Sequence, residues 1–296
     1  MWLRRIAFLP GNQALPHSGN RLLCGKIRAV HFATQQPVSS ERRRREKTSQ
    51  QERGYPIFMD SYQLYHRDGY LREVDATVIR VAEDRVVLDQ TIFYARSGGQ
   101  PADHGALTWP GGQARVSDVR REGNEIWHRL EGPVPPVGTQ VHGELDWERR
   151  YALMRAHTAL HILCGVIWRD YGAHVTSSAM EPGKARQDFE LERMTLDFAT
   201  EIERRVNAEI EANREVRIRF LPRAEAFAIP DLIRTKINLL PEDIEIVRIA
   251  EIVGLDIQAD GGTHVARTGE VGHVRVIAHE SKGRINKRLR LAIMPS

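Results

Sequence analysis

The 296-residue chain holds only two cysteines, Cys24 and Cys164. Two thiols cannot build the disulfide framework of a small secreted domain, and their scarcity fits a reducing compartment. Also missing is any apolar run near the roughly 18 residues that a membrane-spanning helix needs. Acidic residues are absent before Glu41. Residues 1–58 carry eleven Lys+Arg against three Asp+Glu, a net +8, which leaves −4 for residues 59–296 beneath the overall +4. The basicity belongs to this leader, so a case for nucleic-acid binding must rest on local patches. There is no internal repeat and, past the leader, no low-complexity tract. No glycine loop runs on into Gly-Lys-Ser/Thr, which removes the P-loop signature; ATP is not expected. Ser177-Ser178 sits in no nucleophile elbow.

With 41% hydrophobic residues, the chain can bury a sizeable core. Residues 1–58, with the run Glu41-Arg-Arg-Arg-Arg-Glu46, read as disordered. Their Arg-rich, acid-poor composition fits an organelle transit peptide. The favoured alternative is an over-extended start, with Met59 as the first residue, because patterned sequence begins there; the expected location is then the cytoplasm. Residues 59–146 read as a β-rich unit of short alternating segments, including Val74 to Val81, Arg85 to Asp89, Ala114 to Val119 and Glu125 to Leu130. Turns at Arg121-Glu-Gly-Asn124 and Gly132-Pro-Val-Pro-Pro136 divide them, so a small barrel or compact sheet is expected. Within it, Gly98-Gly99 could let backbone approach a ligand, or could simply close a hairpin. Residues 147–296 mix helices with strands without regular βαβ alternation, which favours α+β. One helix is expected over Trp147 to about Asp170, capped by Asp146 and followed by Gly172, and a second over Glu201 to about Arg214. Strands are expected at Glu215 to Phe220, Ile244 to Ile249, His273 to His279 and Arg288 to Ile293.

The first helix carries His157-Thr-Ala-Leu-His161. Side chains at i and i+4 stack on one helical face, so both imidazoles can reach one metal ion. A second half-site, Asp260-Gly-Gly-Thr-His264, offers a carboxylate and a third imidazole from a glycine-rich turn. His, Cys and carboxylate donors all suit zinc. An isolated His-x-x-x-His is more often a core pair than a ligand pair, and it is the second half-site that tips the balance. Cys164, two helical turns from His157, lies about 10.5 Å along the axis, too far to share the ~2.0–2.3 Å ligand distances of zinc. It reads as a small core residue. The remaining histidines, such as His66, His142 and His279, show no comparable partner.

His157-x-x-x-His161, Gly261-Gly-Thr-His-Val265 and Thr268-Gly-Glu-Val-Gly272, preceded by Phe93-Tyr94 and Gly98-Gly-Gln-Pro101, resemble the editing domain of alanyl-tRNA synthetases. More closely, the chain looks like the free-standing AlaX alanyl-tRNA editing proteins of medium length. Asn207 and the basic ending Lys282 to Arg290 fit as well, and the resemblance covers about residues 59–296. It implies a small β-barrel-like N-terminal subdomain, followed by the α+β editing core shared by threonyl- and alanyl-tRNA synthetases. The implied activity is hydrolysis of mischarged Ser-tRNA(Ala), with Gly-tRNA(Ala) as a second substrate, in the service of translation fidelity. The implied partner is the acceptor end of tRNA(Ala), and the implied cofactor is Zn2+.

One position departs from the family pattern: Asp260 stands where the family has Cys before Gly-Gly-Thr-His. Oxygen is harder than sulfur, so another divalent metal becomes admissible. A catalytic tetrahedral site also needs a position open to water. His157, His161 and His264 are therefore expected as the primary ligands, with Asp260 binding weakly or orienting the water. By resemblance, Thr91 is the partner of the serine hydroxyl, and Gly98, Gly99 and Gln100 line the same pocket. Lys282, Arg284, Lys287, Arg288 and Arg290 are the candidates for acceptor-stem phosphates, against a plain reading as a solvated strand edge. Two other readings stay open: a metal-dependent hydrolase of another ester or amide, and a non-catalytic tRNA-binding relative.

Overall fold

The computed structural model describes residues 62–235, 240 and 244–294. The chain divides into Met1–Pro56 and Ile57–Ser296, and every element below lies in the second unit. The basic leader falls outside the described residues. Among the described residues no helix is long and apolar enough to cross a membrane.

The first strand, β1 (Tyr62–Gln63), is followed by β2 (Glu73–Ala82), β3 (Arg85–Leu88), β4 (Gln90–Thr91), β5 (Gly105–Trp109), β6 (Gly112–Glu122), β7 (Glu125–Glu131) and β8 (Gln140–Leu145). Strands β2, β3, β7, β6, β5 and β8 close a barrel in that order, while β1 pairs with β4 in parallel. Period-two alternation sends Val74, Ala76 and Val78 of β2 and Val141 and Leu145 of β8 inward. A bulge between Val116 and Asp118 re-phases β6, so that Val116 and then Val119 both face the interior.

Phe93 is fully buried inside this barrel, edge-on to His128. A polar thread holds that segment. The Phe93 amide donates to Thr91 Oγ1 (3.0 Å), the Thr91 hydroxyl lies 2.8 Å from His128 Nε2, and His128 Nδ1 lies 3.3 Å from the Val86 carbonyl. A neutral His128 protonated on Nδ1 satisfies the whole thread, and burial accordingly lowers its pKa to about 4. Thr91→Val should leave a buried amide and a buried ring nitrogen unpaired, and lower stability by about 1–3 kcal/mol. Urea denaturation of the two proteins measures this; equal midpoints would remove the thread from the fold's support.

Beyond the barrel run α1 (Trp147–Tyr171), β9 (Val175–Glu181), β10 (Lys184–Glu190), α2 (Leu196–Glu211), β11 (Val216–Pro222), α3 (Arg223–Phe227), β12 (Ile246–Ile252), β13 (Asp256–Ala259), β14 (His273–Ser281) and β15 (Asn286–Met294). They build a sheet in the order β14-β15-β10-β9 and a smaller sheet, β11-β12-β13, both antiparallel. A closed barrel with helices and two further sheets makes the chain α+β, as the pattern predicts.

Helix α1 starts where Asp146 accepts a hydrogen bond from the Arg149 amide and stops at left-handed Gly172, matching its expected caps. Every residue from Ala156 to Ile167 is buried, all round the helix. Such a helix is enclosed rather than laid on a surface. Helix α2 begins five residues before the expected start, because Thr195 caps it through the Phe198 amide. Near the start of α1, fully buried Arg150 crosses to the barrel side. It pairs with buried Asp103 and donates to the carbonyls of Gly69 (2.8 Å) and Ile92 (2.6 Å). The segment around Phe93 inside the barrel and the histidine helix are thereby clamped together.

Candidate metal centre

Helix α1 presents His157 and His161 on one face, and the turn after β13 presents Asp260 and His264. One ligand atom from each of these four residues lies within 4.8 Å of the others. The three imidazole rings sit 4.3–5.1 Å apart between centroids. Each Nδ1 already has a partner. His157 Nδ1–H donates to Gln100 Oε1 at 3.0 Å, His161 Nδ1–H to Asp256 Oδ2 at 3.0 Å, and His264 Nδ1 lies 3.3 Å from Thr158 Oγ1. These contacts leave the Nε2 atoms for a shared ion, the arrangement in which an outer partner fixes the ring of a metal-ligating histidine.

Asp260 completes the group. Its Oδ2 lies 2.9 Å from His264 Nε2 and accepts the Gly262 amide at 2.8 Å, and its Oδ1 lies 3.5 Å from His157 Nε2. Arg248 donates to the Asp260 carbonyl at 2.7 Å and lies 3.5 Å from Oδ2. The electrostatics suit a cation. Burial pushes His157 well below its usual pKa and His264 down to about 4, so both imidazoles are neutral donors at pH 7. Burial also works against a charged His161, but the Asp256 carboxylate outweighs it and raises that group. For Asp260, burial opposes the charge, yet the surrounding imidazoles hold the carboxyl well below its usual range. Two neutral imidazoles, a third whose Nδ1–H is held by Asp256, and one carboxylate fit a divalent ion that takes N and O donors.

The glycine segment reaches this centre through one side chain. Ser97 and Gln100 exchange backbone hydrogen bonds around Gly98 and Gly99, whose φ values of 57° and 87° favour glycine. A Cβ on Gly99 would lie 2.7 Å from the Ser178 carbonyl, and the Gly99 carbonyl accepts the Met180 amide, so the turn docks on β9. The glycines therefore serve a tight turn, and Gln100 is the residue it delivers to His157. Gln100 also donates to Thr263 Oγ1 and accepts the Thr263 amide. Thr91 is not brought along. Its hydroxyl is engaged inside the barrel, and among the described residues no hydrogen bond joins it to the four ligands. The contact of Thr91 with a substrate hydroxyl therefore stays a proposal, made for an oxygen that already holds the Phe93 amide and His128.

The basic candidates also change. Arg288 makes two hydrogen bonds to Asp188, Lys287 is buried against the carbonyls of Gly283 and Arg284, and Lys282 and Arg290 share Glu280. Asp188 and Glu280 thus neutralise two of the five charges, Lys287 is buried on carbonyls, and Arg284 is the exposed cation with no ion pair among the described residues. Cys164 is buried as expected, and burial pushes its thiol pKa up. Asn207 ties α2 to β14 through the Val274 amide and carbonyl. Sequence reasoning missed Asp256, Thr158 and Arg248. Asp256, four residues before Asp260 at the start of β13, was the findable one, since histidine ligands commonly lean on a carboxylate.

Comparison with known proteins agrees with this geometry. The family described as tRNA synthetases class II (A) matches residues 34–149, and the threonyl and alanyl tRNA synthetase second additional domain matches residues 247–290. The alanine–tRNA ligase of Pyrobaculum aerophilum is 41% identical over 72% of this chain, which spans 25% of that enzyme's length. The alanyl-tRNA editing protein AlaX-M of Saccharolobus solfataricus is 38% identical over 79% of this chain and 99% of its own length. That of Methanosarcina barkeri is 38% identical over 76% and 96%. With matches that cover nearly the whole length of two such relatives, the chain belongs to the AlaX-M family of alanyl-tRNA editing proteins.

Proposed function

We propose that the protein is a trans-editing hydrolase that deacylates mischarged Ser-tRNA(Ala), and Gly-tRNA(Ala) as a second substrate, with a divalent ion held by His157, His161, His264 and Asp260. The observation that carries this reading is the convergence of three imidazoles, each oriented through Nδ1, on one carboxylate in an alanyl-tRNA editing relative. When bound, the ion supplies polarisation of the ester carbonyl and acidifies water toward a pKa of roughly 7.

The chain's own groups do the rest. Gln100, Asp256 and Thr158 fix the three rings, so little reorganisation accompanies reaction. Asp260 is the most exposed of the four, with its side chain 18% accessible against 2–8% for the imidazoles, so the ester approaches from its side. Arg248 draws on the same carboxylate and makes it a weak ligand. Asp260 then serves mainly to accept a hydrogen bond from the attacking water. Selectivity for serine over alanine cannot come from size, because alanine is the smaller; it comes from a polar group that the serine hydroxyl satisfies and alanine leaves unpaired. The groups proposed for this part are Thr91, by resemblance, and Gln100 and Thr263 beside His157.

Incubating the full chain with Ser-, Gly- and Ala-tRNA(Ala) tests the reading. Serine should be released and alanine spared, with glycine, which has no hydroxyl, released more slowly than serine. Equal loss of all three would mark a general ester hydrolase on this fold, and no release would mark a non-catalytic tRNA-binding relative.

A further inference from the structure

Behind His161 lies a buried ion pair that the proposed chemistry does not use. Asp256 Oδ2 accepts from His161 Nδ1–H and from Gln258 Nε2 at 2.7 Å. Its other oxygen faces Arg234, whose Nε is 3.8 Å from Oδ1. Arg234 is 7% exposed and Asp256 3%. Neither Oδ1 of Asp256 nor Nε and Nη1 of Arg234 has a hydrogen-bond partner among the described residues. A guanidinium buried with unpaired N–H groups is costly, and a carboxylate buried without a cation more so. The two compensate each other, and the architecture holds them in register. The Arg234 guanidinium lies 4.5 Å above the ring of Trp168, two helical turns after His161 on α1. Its carbonyl accepts the Val175 amide at the start of β9.

We propose that Arg234 is a positioning residue of the metal centre: it fixes the Asp256 carboxylate, which in turn fixes the His161 imidazole. The proposal rests on reading the cluster as a metal centre. Arg234 touches neither ligand atoms nor substrate. Its effect passes through the oxygen that faces it, because a carboxylate held at Oδ1 cannot swing Oδ2 away from His161.

The test measures zinc affinity of the full chain by chelator competition in Arg234→Met, Arg234→Lys and Asp256→Asn, and in the double variant Arg234→Met/Asp256→Asn. Arg234→Met should weaken zinc binding about tenfold or more, and Arg234→Lys should restore most of it. In the Asp256→Asn background, Arg234→Met should add nothing, because the route to His161 is already broken. An unchanged affinity in Arg234→Met, or the same loss in both backgrounds, overturns the proposal. A second arm reads the 15N resonances of His161 in the metal-free protein. Nδ1 should be the protonated nitrogen in the parent chain, and Arg234→Met should mix the two ring forms. If the parent chain binds no zinc, the metal-centre reading fails, and the resonances alone decide: unchanged His161 signals overturn the role of Arg234. Should Arg234→Met not fold, Arg234→Gln enters the same comparison.

Discussion

Arg150→Met should lower the stability of the protein by about 3–5 kcal/mol, the cost of removing one partner of a buried ion pair. Arg150 is fully buried, and its guanidinium serves Asp103 and the carbonyls of Gly69 and Ile92 together. Methionine fills comparable space but leaves an uncompensated carboxylate and two carbonyls without partners. The Asp103 carboxylate also accepts the Tyr94 amide at 2.7 Å, so the damage spreads to the segment that carries Phe93 and leads to Gln100. Urea denaturation followed by circular dichroism measures the loss. The double variant Arg150→Met/Asp103→Leu should recover a large part of it, since an apolar pair of similar volume avoids the unpaired charge. A loss under about 1 kcal/mol would place the pair with weakly coupled surface bridges.

Gly262→Ala should damage the metal centre far more than the fold. A Cβ at that position would lie 2.2 Å from His157 Cε1, 2.3 Å from its Nδ1 and 2.7 Å from Gln100 Oε1. No real methyl tolerates such distances, so either the imidazole or its amide partner must leave. Disturbing an outer partner of a ligating histidine typically costs 10–100-fold in metal affinity, and a displaced ligand costs at least as much. Gly261→Ala is the control, because the nearest atom to its Cβ would be His66 Nε2 at 3.9 Å, an ordinary contact. Zinc titration should therefore separate two neighbouring glycines: affinity lost at 262 and kept at 261. Equal behaviour would mean that the turn reshapes freely and that its tight packing on His157 is incidental.

What could be read from the chain beforehand follows the range of the interactions involved. Helix α1 was legible from Asp146 to Gly172 because caps and periodicity are local. The ligands were legible because His157-x-x-x-His161 and Asp260 to His264 each lie within a few residues. The outer partners were not, since Gln100, Asp256 and Thr158 reach their histidines across 57, 95 and 106 positions. The β9–β10 hairpin was hidden for another reason: β10 buries Gln187 and Asp188 beside Ala185 and Phe189, so its pattern is not that of an apolar face. At the C-terminal end the sequence does not show the pairing, since Asp188 and Glu280, remote from or folded back onto the basic run, hold Arg288, Lys282 and Arg290.

The central claim is that one divalent ion, held by His157, His161, His264 and Asp260, serves hydrolysis of Ser-tRNA(Ala). The most direct test strips the full chain of metal with a chelator, returns zinc or manganese in measured equivalents, and follows single-turnover release of serine. Release should be absent in the stripped protein and saturate at one equivalent, and His161→Ala should not regain it at that level. Undiminished release by the stripped protein, or full activity in His161→Ala, would contradict the account.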